Sequence, residues 1–227
     1  MSDAGPVARA AELATLGHQA PLDDTTIDRL VAAHHDDPDP RVRAAALGAL
    51  VRAAPAAAIP SWSRALDDPS PVVRRRAAEL APALTDDADV ASALVASLDD
   101  ADVTVIEALA WSLGELDDAA RDADAVRALA DIVRSHRDAL AREAAVAALG
   151  ALGDPDALPT ILAACTDKPA VRRRAVLALA PFEGPEVDAA IDAALTDRDW
   201  QVRQAAEDLR GEDLRGEDLR SEDPHDD

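Results

Sequence analysis

The chain of 227 residues sets 45 acidic side chains against 23 basic ones, a formal net charge of −22, which disfavours nucleic acid as a partner because the phosphate backbone would meet a like charge. It holds 55 Ala but one Phe, three Trp and no Tyr, which excludes a conventional aromatic core, and its lone Cys165 excludes an intramolecular disulfide and a cysteine-based zinc site. No apolar run approaches the roughly 18 residues of a membrane span, and the opening MSDAGPVARAAEL lacks a signal-peptide core, so the expectation is a soluble cytoplasmic chain with no membrane partner.

In chain order, one phrase recurs: an acidic turn, then Val-Arg, then an alanine-rich run ending in Leu and often Gly. A weak copy, ARAAELATLG (8–17), predicts an N-terminal capping helix or partial repeat within residues 1–20. Fuller copies are DPDPRVRAAALGAL (37–50), DPSPVVRRRAAELA (68–81), DADVTVIEALAWSLG (100–114), RDALAREAAVAALG (137–150), DKPAVRRRAVLALA (167–180) and DRDWQVRQAAEDL (197–209). Their valine slots are Val42, Val73, Val105, Ala141, Val171 and Val202, spaced by 31, 32, 36, 30 and 31 residues. Near-constant spacing of this length marks a repeat architecture.

Each unit reads as two helices. The turn acids supply N-caps, and Pro40, Pro71 and Pro169 lie near the helix starts. Apolar residues then recur at three and four, as in Val42, Ala46, Ala49 and Leu50, or Val171, Ala175, Ala178 and Leu179. First helices are predicted over Thr26–His34, Ala56–Leu66, Val90–Leu98, Ala125–Val133, Ala157–Ala164 and Glu186–Leu195. Strand patterns are missing. Such short pairs cannot bury their faces alone, so neighbours must stack into a solenoid over residues 21–210. Alanine suits close helix approach and keeps helix propensity high. Residues 211–227 repeat EDLRG with eight acids and two Arg, too little apolar surface for stable order, and read as a disordered acidic tail that extends the last helix only transiently.

The periodicity and the D-x-D/P-x-x-V-R-x-A-A-x-x-A-L-G phrase resemble HEAT repeats of the short, phycobilisome-lyase-like class over residues 21–210, and with the weak copy over 8–210. The resemblance implies an all-α fold, a right-handed α-solenoid of about six to seven helix pairs. It also implies a ladder in which the arginine after Val pairs with the turn aspartate: Asp37 with Arg43, Asp68 with Arg74, Asp167 with Arg172 and Asp197 with Arg203, broken where Ile106 replaces arginine. Separately, 34 Asp against 11 Glu and 22 Arg against one Lys resemble the composition of cytoplasmic proteins from extreme halophiles. A GC-rich genome alone would not explain a twofold acid excess.

Beyond the ladder position, Arg75, Arg76, Arg173 and Arg174 are available to a partner, or else solvated or internally paired. Helical spacing turns Ala44/Gly48, Arg75/Glu79, Glu107/Trp111, Glu143/Ala147, Arg173/Leu177 and Gln204/Asp208 toward one outward face. Trp111 is a partner anchor there, or it packs across the 36-residue junction after it. Trp62 and Trp200 are expected to pack.

Enzymatic readings lack residues. None of the five histidines is followed by Glu, so the His-Glu pairs of HEAT-like di-iron hydroxylases have no counterpart. His34-His35-Asp36-Asp37 reads as a solvated loop, and Cys165 as an inert core thiol. The expectation is a non-enzymatic scaffold or adaptor, in signalling or complex assembly. It binds another protein along its concave face through Trp111, Arg75, Arg76, Glu107, Glu143, Arg173 and Arg174, as a monomer, with no catalytic residue, metal or cofactor. The alternative is a bilin-lyase-like or other small-molecule-modifying HEAT-like enzyme.

Overall fold

A computed structural model describes residues 5–19, 21–84, 88–116 and 123–221, with positions 88, 123 and 212–221 described by backbone alone. The repeats are helix pairs because the acidic turns launch helices and the apolar stripes bind them together. Asp39, Asp102 and Asp138 cap α3 (Pro40–Ala53), α7 (Val103–Glu115) and α9 (Ala139–Leu152), each carboxylate accepting the backbone N–H two residues on. Pro40, Pro71 and Pro169 are the first residues of α3, α5 (Pro71–Leu80) and α11 (Pro169–Leu177), where a missing N–H costs nothing.

The chain divides into two compact units, residues 1–125 and 126–227. In the first, α1 (Pro6–Leu16), α3, α5 and α7 pack in a row, while α2 (Asp24–Asp36), α4 (Pro55–Ala65) and α6 (Ala88–Ala96) each pack on the second helix that follows. The unit boundary falls within α8 (Ala123–Ser135). In the second unit α9, α11 and α13 (Trp200–Ser221) form the row, with α10 (Leu158–Ala164) and α12 (Pro185–Ala194) behind them. All the described elements are helical, and the fold is an α-solenoid. The tail was separated from the solenoid at residue 211, but α13 continues across that point to Ser221; residues 222–227 lie outside the described residues.

Both predicted stripes are buried: Val42, Ala46, Ala49 and Leu50 in the first unit, Val171, Ala175, Ala178 and Leu179 in the second. Trp62 is buried as expected, and its Nε1 donates to the Ala77 carbonyl at 2.8 Å. That carbonyl is available because α5 tightens at its end, the Ala81 N–H turning to Ala78 instead. Pro82 brings no N–H, and the Ala78 carbonyl takes a second donor, the buried Ser112 hydroxyl of α7, at 2.6 Å. One frayed helix end thus ties α4, α5 and α7 together.

The glycine that often closes the repeat phrase has a steric reason. A Cβ on Gly150 would lie 2.7 Å from the Ala178 Cα and 2.6 Å from its Cβ, so α9 and α11 approach too closely for any side chain there. At Gly48 the nearest atom is the movable Arg76 Nη2 at 3.1 Å. Gly150→Ala is therefore expected to lose about 1–3 kcal/mol by overpacking. Gly48→Ala is expected to stay within about 1 kcal/mol of wild type, helped by helix propensity. Urea midpoints at constant slope would check this, and equal effects at the two sites would refute it.

Candidate functional site

The frame that presents the surface is a ladder of arginine–aspartate pairs, and its register differs from the expected one. Arg43 pairs through Nε and Nη2 with Asp68, at 2.9 and 2.7 Å, and not with Asp37; only its Nη1 turns back, donating to the Asp37 carbonyl at 3.0 Å. Likewise Arg74 pairs with Asp100 instead of Asp68, and Arg172 with Asp197 instead of Asp167. Arg203 donates to the Asp197 carbonyl, whose carboxylate is already held by Arg172. The reason is reach. The arginine projects from the second turn of its helix toward the next repeat, while its own turn lies under its Nη1. Two pairs were missed, Arg9–Asp37 and Arg142–Asp167. The arginine after Ala8 and after Ala141 was the available signal.

Each rung carboxylate works twice. Asp68, Asp100 and Asp197 accept the N–H of the residue two further on, and Asp167 that of Lys168, folding the turn from which the next helix starts. The Arg142 and Arg172 guanidiniums hold Asp167 and Asp197 below the usual carboxylate range against the upward push of burial. At Asp68 and Asp100 burial is the largest single influence and pushes upward. The paired arginine, a backbone N–H and the guanidinium charge together outweigh it. The series has no rung at Ile106, which is buried, and the following turn carries His136 in the aspartate slot, accepting the Asp138 N–H at 3.1 Å.

On this frame the outward residues of α3, α5 and α7 line a continuous groove in the first unit. One part, a cavity of about 300 Å³, is walled by Ala44, Val72, Arg75, Arg76 and Glu79; the adjoining part, about 240 Å³, by Arg75, Glu79, Thr104, Glu107 and Trp111. Trp111 is 49% exposed, on the outward side of α7; residues 117–122 of the junction after it lie outside the described residues. Arg75, Arg76, Glu107 and Trp111 are thus brought together. Val72, half exposed and next to the α5 start, was missed.

The arginine triplets are not free. Arg75 and Arg76 both bond Glu79, at 2.9 and 3.2 Å, because it lies one turn along the same helix. In the second unit Arg173 and Arg174 lie 3.5 and 3.8 Å from Glu143 of α9. Glu143, Arg173 and Arg174 are therefore a charge cluster of that unit. Trp200, expected to pack, is 65% exposed: it is the first residue of α13, where the side chain points back over the turn and away from the stack.

The remaining candidates resolve locally. His34 is buried, not solvated, with Nδ1 facing the Arg43 carbonyl at 3.2 Å and Nε2 the Ser61 carbonyl at 3.0 Å. Burial lowers its pKa, opposed by those two carbonyls. Burial pushes the Cys165 thiol up to about 11, leaving little thiolate for nucleophilic work. Among the described residues no group of three or more His, Cys, Asp or Glu side chains is placed to hold a metal ion, and no helix is long and apolar enough to cross a membrane.

Comparison with solved structures gives similar folds at low identity. The Escherichia coli protein YibA aligns over 91% of this chain and 74% of its own, with a TM-score of 0.60 and 16% identity. The complex of CpcE and CpcF of phycocyanin lyase from Nostoc aligns over 92% and 91%, at 0.53 and 22%. A designed armadillo repeat protein in complex with the peptide (KR)4 aligns over 88% and 98%, at 0.53 and 17%. Comparison with the curated proteins finds no match. The expectation of a non-enzymatic chain is corrected here: a lyase and a peptide-binding repeat protein share this fold, so the fold does not separate catalysis from binding. The family model for HEAT repeats matches residues 1–80, 27–114, 59–144 and 126–210, and the chain belongs to the HEAT-repeat family.

Proposed function

We propose that the chain is a protein-interaction scaffold that receives a partner polypeptide in the groove of α3, α5 and α7. The observation that carries this reading is a half-exposed Trp111 on the wall of that groove, in a chain with only three tryptophans. Tryptophan is enriched among residues that dominate binding energy, and the open hollow beside it gives a partner side chain room to cover the ring. The HEAT-repeat fold supports a protein-interaction role, and two fold relatives were solved with a peptide or as a two-protein complex. The ladder fixes the spacing of α3, α5 and α7, so little ordering entropy is lost on binding. The exposed Arg75–Glu79 pair is weakly held and easily released to a partner.

The test is co-purification from host lysate in concentrated KCl, comparing wild type, Trp111→Ala and Trp200→Ala, with mass spectrometry and a visible absorbance scan. A partner retained by wild type and Trp200→Ala but lost with Trp111→Ala is the expected result. Equal recovery with all three would overturn the groove assignment. A co-purifying chromophore would instead place the chain on the catalytic side of its fold.

A further inference from the structure

We infer that the Trp111 end of the groove takes a cationic side chain, an arginine or lysine of the partner polypeptide. This rests on the scaffold reading above and adds the chemistry of what binds. Glu107 and Glu115 lie one turn before and one turn after Trp111 on α7, and all three are exposed, so carboxylates bracket the indole along one strip of helix. Among the described residues neither carboxylate has an ion-pair partner. Across the groove Arg75, the basic residue that lines the Trp111 end, is engaged by Glu79 at 2.9 Å; Arg76, which shares Glu79 at 3.2 Å, lines the other part of the groove.

An aromatic face attracts a cation through its quadrupole, and the two carboxylates add full charges at the ring's borders. An anion would meet repulsion from both. A purely apolar side chain would dehydrate Glu107 with nothing to compensate it. Arginine fits best, because its planar fork can lie on the indole and still donate to a carboxylate. In the concentrated salt that the net charge of −22 calls for, long-range attraction is screened over about 3 Å, so the local bracket is what chooses Trp111.

The test uses the full chain carrying Trp200→Phe, so that Trp111 is the exposed indole that reports binding while Trp62 stays buried. Capped peptides of three Gly-Ser-Arg repeats, three Gly-Ser-Glu repeats and three Gly-Ser-Leu repeats are titrated in turn. The arginine peptide should shift the tryptophan emission saturably and the other two should not. Glu107→Gln with Glu115→Gln should weaken it about tenfold or more, the scale of a desolvated charge contact. The same charge removed from exposed carboxylates of the second unit, Glu183→Gln with Glu186→Gln, should change it less than about twofold. Calorimetry with Trp111→Ala should show the arginine peptide lost.

Equal weakening by the two glutamine pairs would reduce the effect to net-charge attraction and overturn the inference. Tighter binding of the leucine or glutamate peptide at Trp111 would overturn it while leaving the groove as the partner's site. If no peptide binds but the co-purifying partner still depends on Trp111, the cation is wrong and the scaffold reading stands. If the partner is also indifferent to Trp111, both fall.

Discussion

Arg172→Leu is expected to destabilise the protein by about 3 kcal/mol, the lower end of what stranding one partner of a buried ion pair costs. For a chain of this size that corresponds to a melting temperature lower by about 6–12 °C. The side chain is only 7% exposed and uses its whole fork, Nε and Nη2 on the Asp197 carboxylate and Nη1 on the Asp167 carbonyl. Leucine keeps the packing of the stem but leaves that carboxylate and that carbonyl without their donor. Arg75→Leu is the control. Its pair with Glu79 is more than half exposed on the arginine side, so its loss should fall within about 1 kcal/mol. Equal losses for the two variants would show that the ladder is ornamental.

The same rungs set an acid limit. The carboxylates of Asp68, Asp100, Asp167 and Asp197 titrate below their ordinary value in the folded chain. A depressed folded pKa gives stability that is complete above the unfolded value, about 4, and is lost as the pH falls through the lowered folded values. Unfolding should therefore set in below about pH 4, and Arg172→Leu should flatten that limb because it removes the largest cause of the lowered Asp197 pKa, leaving the Asp199 N–H and Arg198 against the upward push of burial. An acid limb unchanged in the variant would remove Asp197 from the account.

Dialysis out of salt is the second large effect: cooperative structure should be lost at low ionic strength and regained in concentrated KCl. A net charge of −22 on a chain of 227 residues makes the compact state repel itself. Raising salt from about 0.1 M to 1 M shortens the screening length from about 10 Å to 3 Å and suppresses that repulsion. The rungs survive the same change because their side chains are mostly 7–22% exposed, so screening removes more repulsion than attraction. Thermal melts across a KCl series would show a rising midpoint that sucrose does not reproduce. A midpoint indifferent to KCl would mean the acid excess is dispersed well enough to be harmless, and the resemblance to halophile composition would then have no physical counterpart.

The helix pairs were legible because their causes are local. Turn acids and prolines fix where α3, α7 and α11 begin, and the three-and-four spacing of Val42, Ala46, Ala49 and Leu50 fixes the face that is buried. The ladder was legible in composition but not in pairing. Nothing in the spacing tells whether Arg43 meets Asp37, six residues back, or Asp68, 25 residues on, because both lie at the same kind of turn.

The surface residues divide along the same line. That Trp111 lies outward with Glu107 follows from helical spacing; that Arg75 and Arg76 are spent on Glu79, and Arg173 and Arg174 lie against Glu143, depends on which rotamers the neighbouring helices leave open. Trp200 was misread because a helix-start slot filled by proline elsewhere says nothing about where a larger ring will point. By itself the sequence determined the repeat length and the charge, which are recurrence and composition, and the helical class and the buried stripe, which follow from neighbours within one or two turns of chain. Only the tertiary structure decided the register of the ladder, the close approach at Gly150 and the groove beside Trp111. Those depend on distances between helices some 25 to 36 residues apart, which no local pattern encodes.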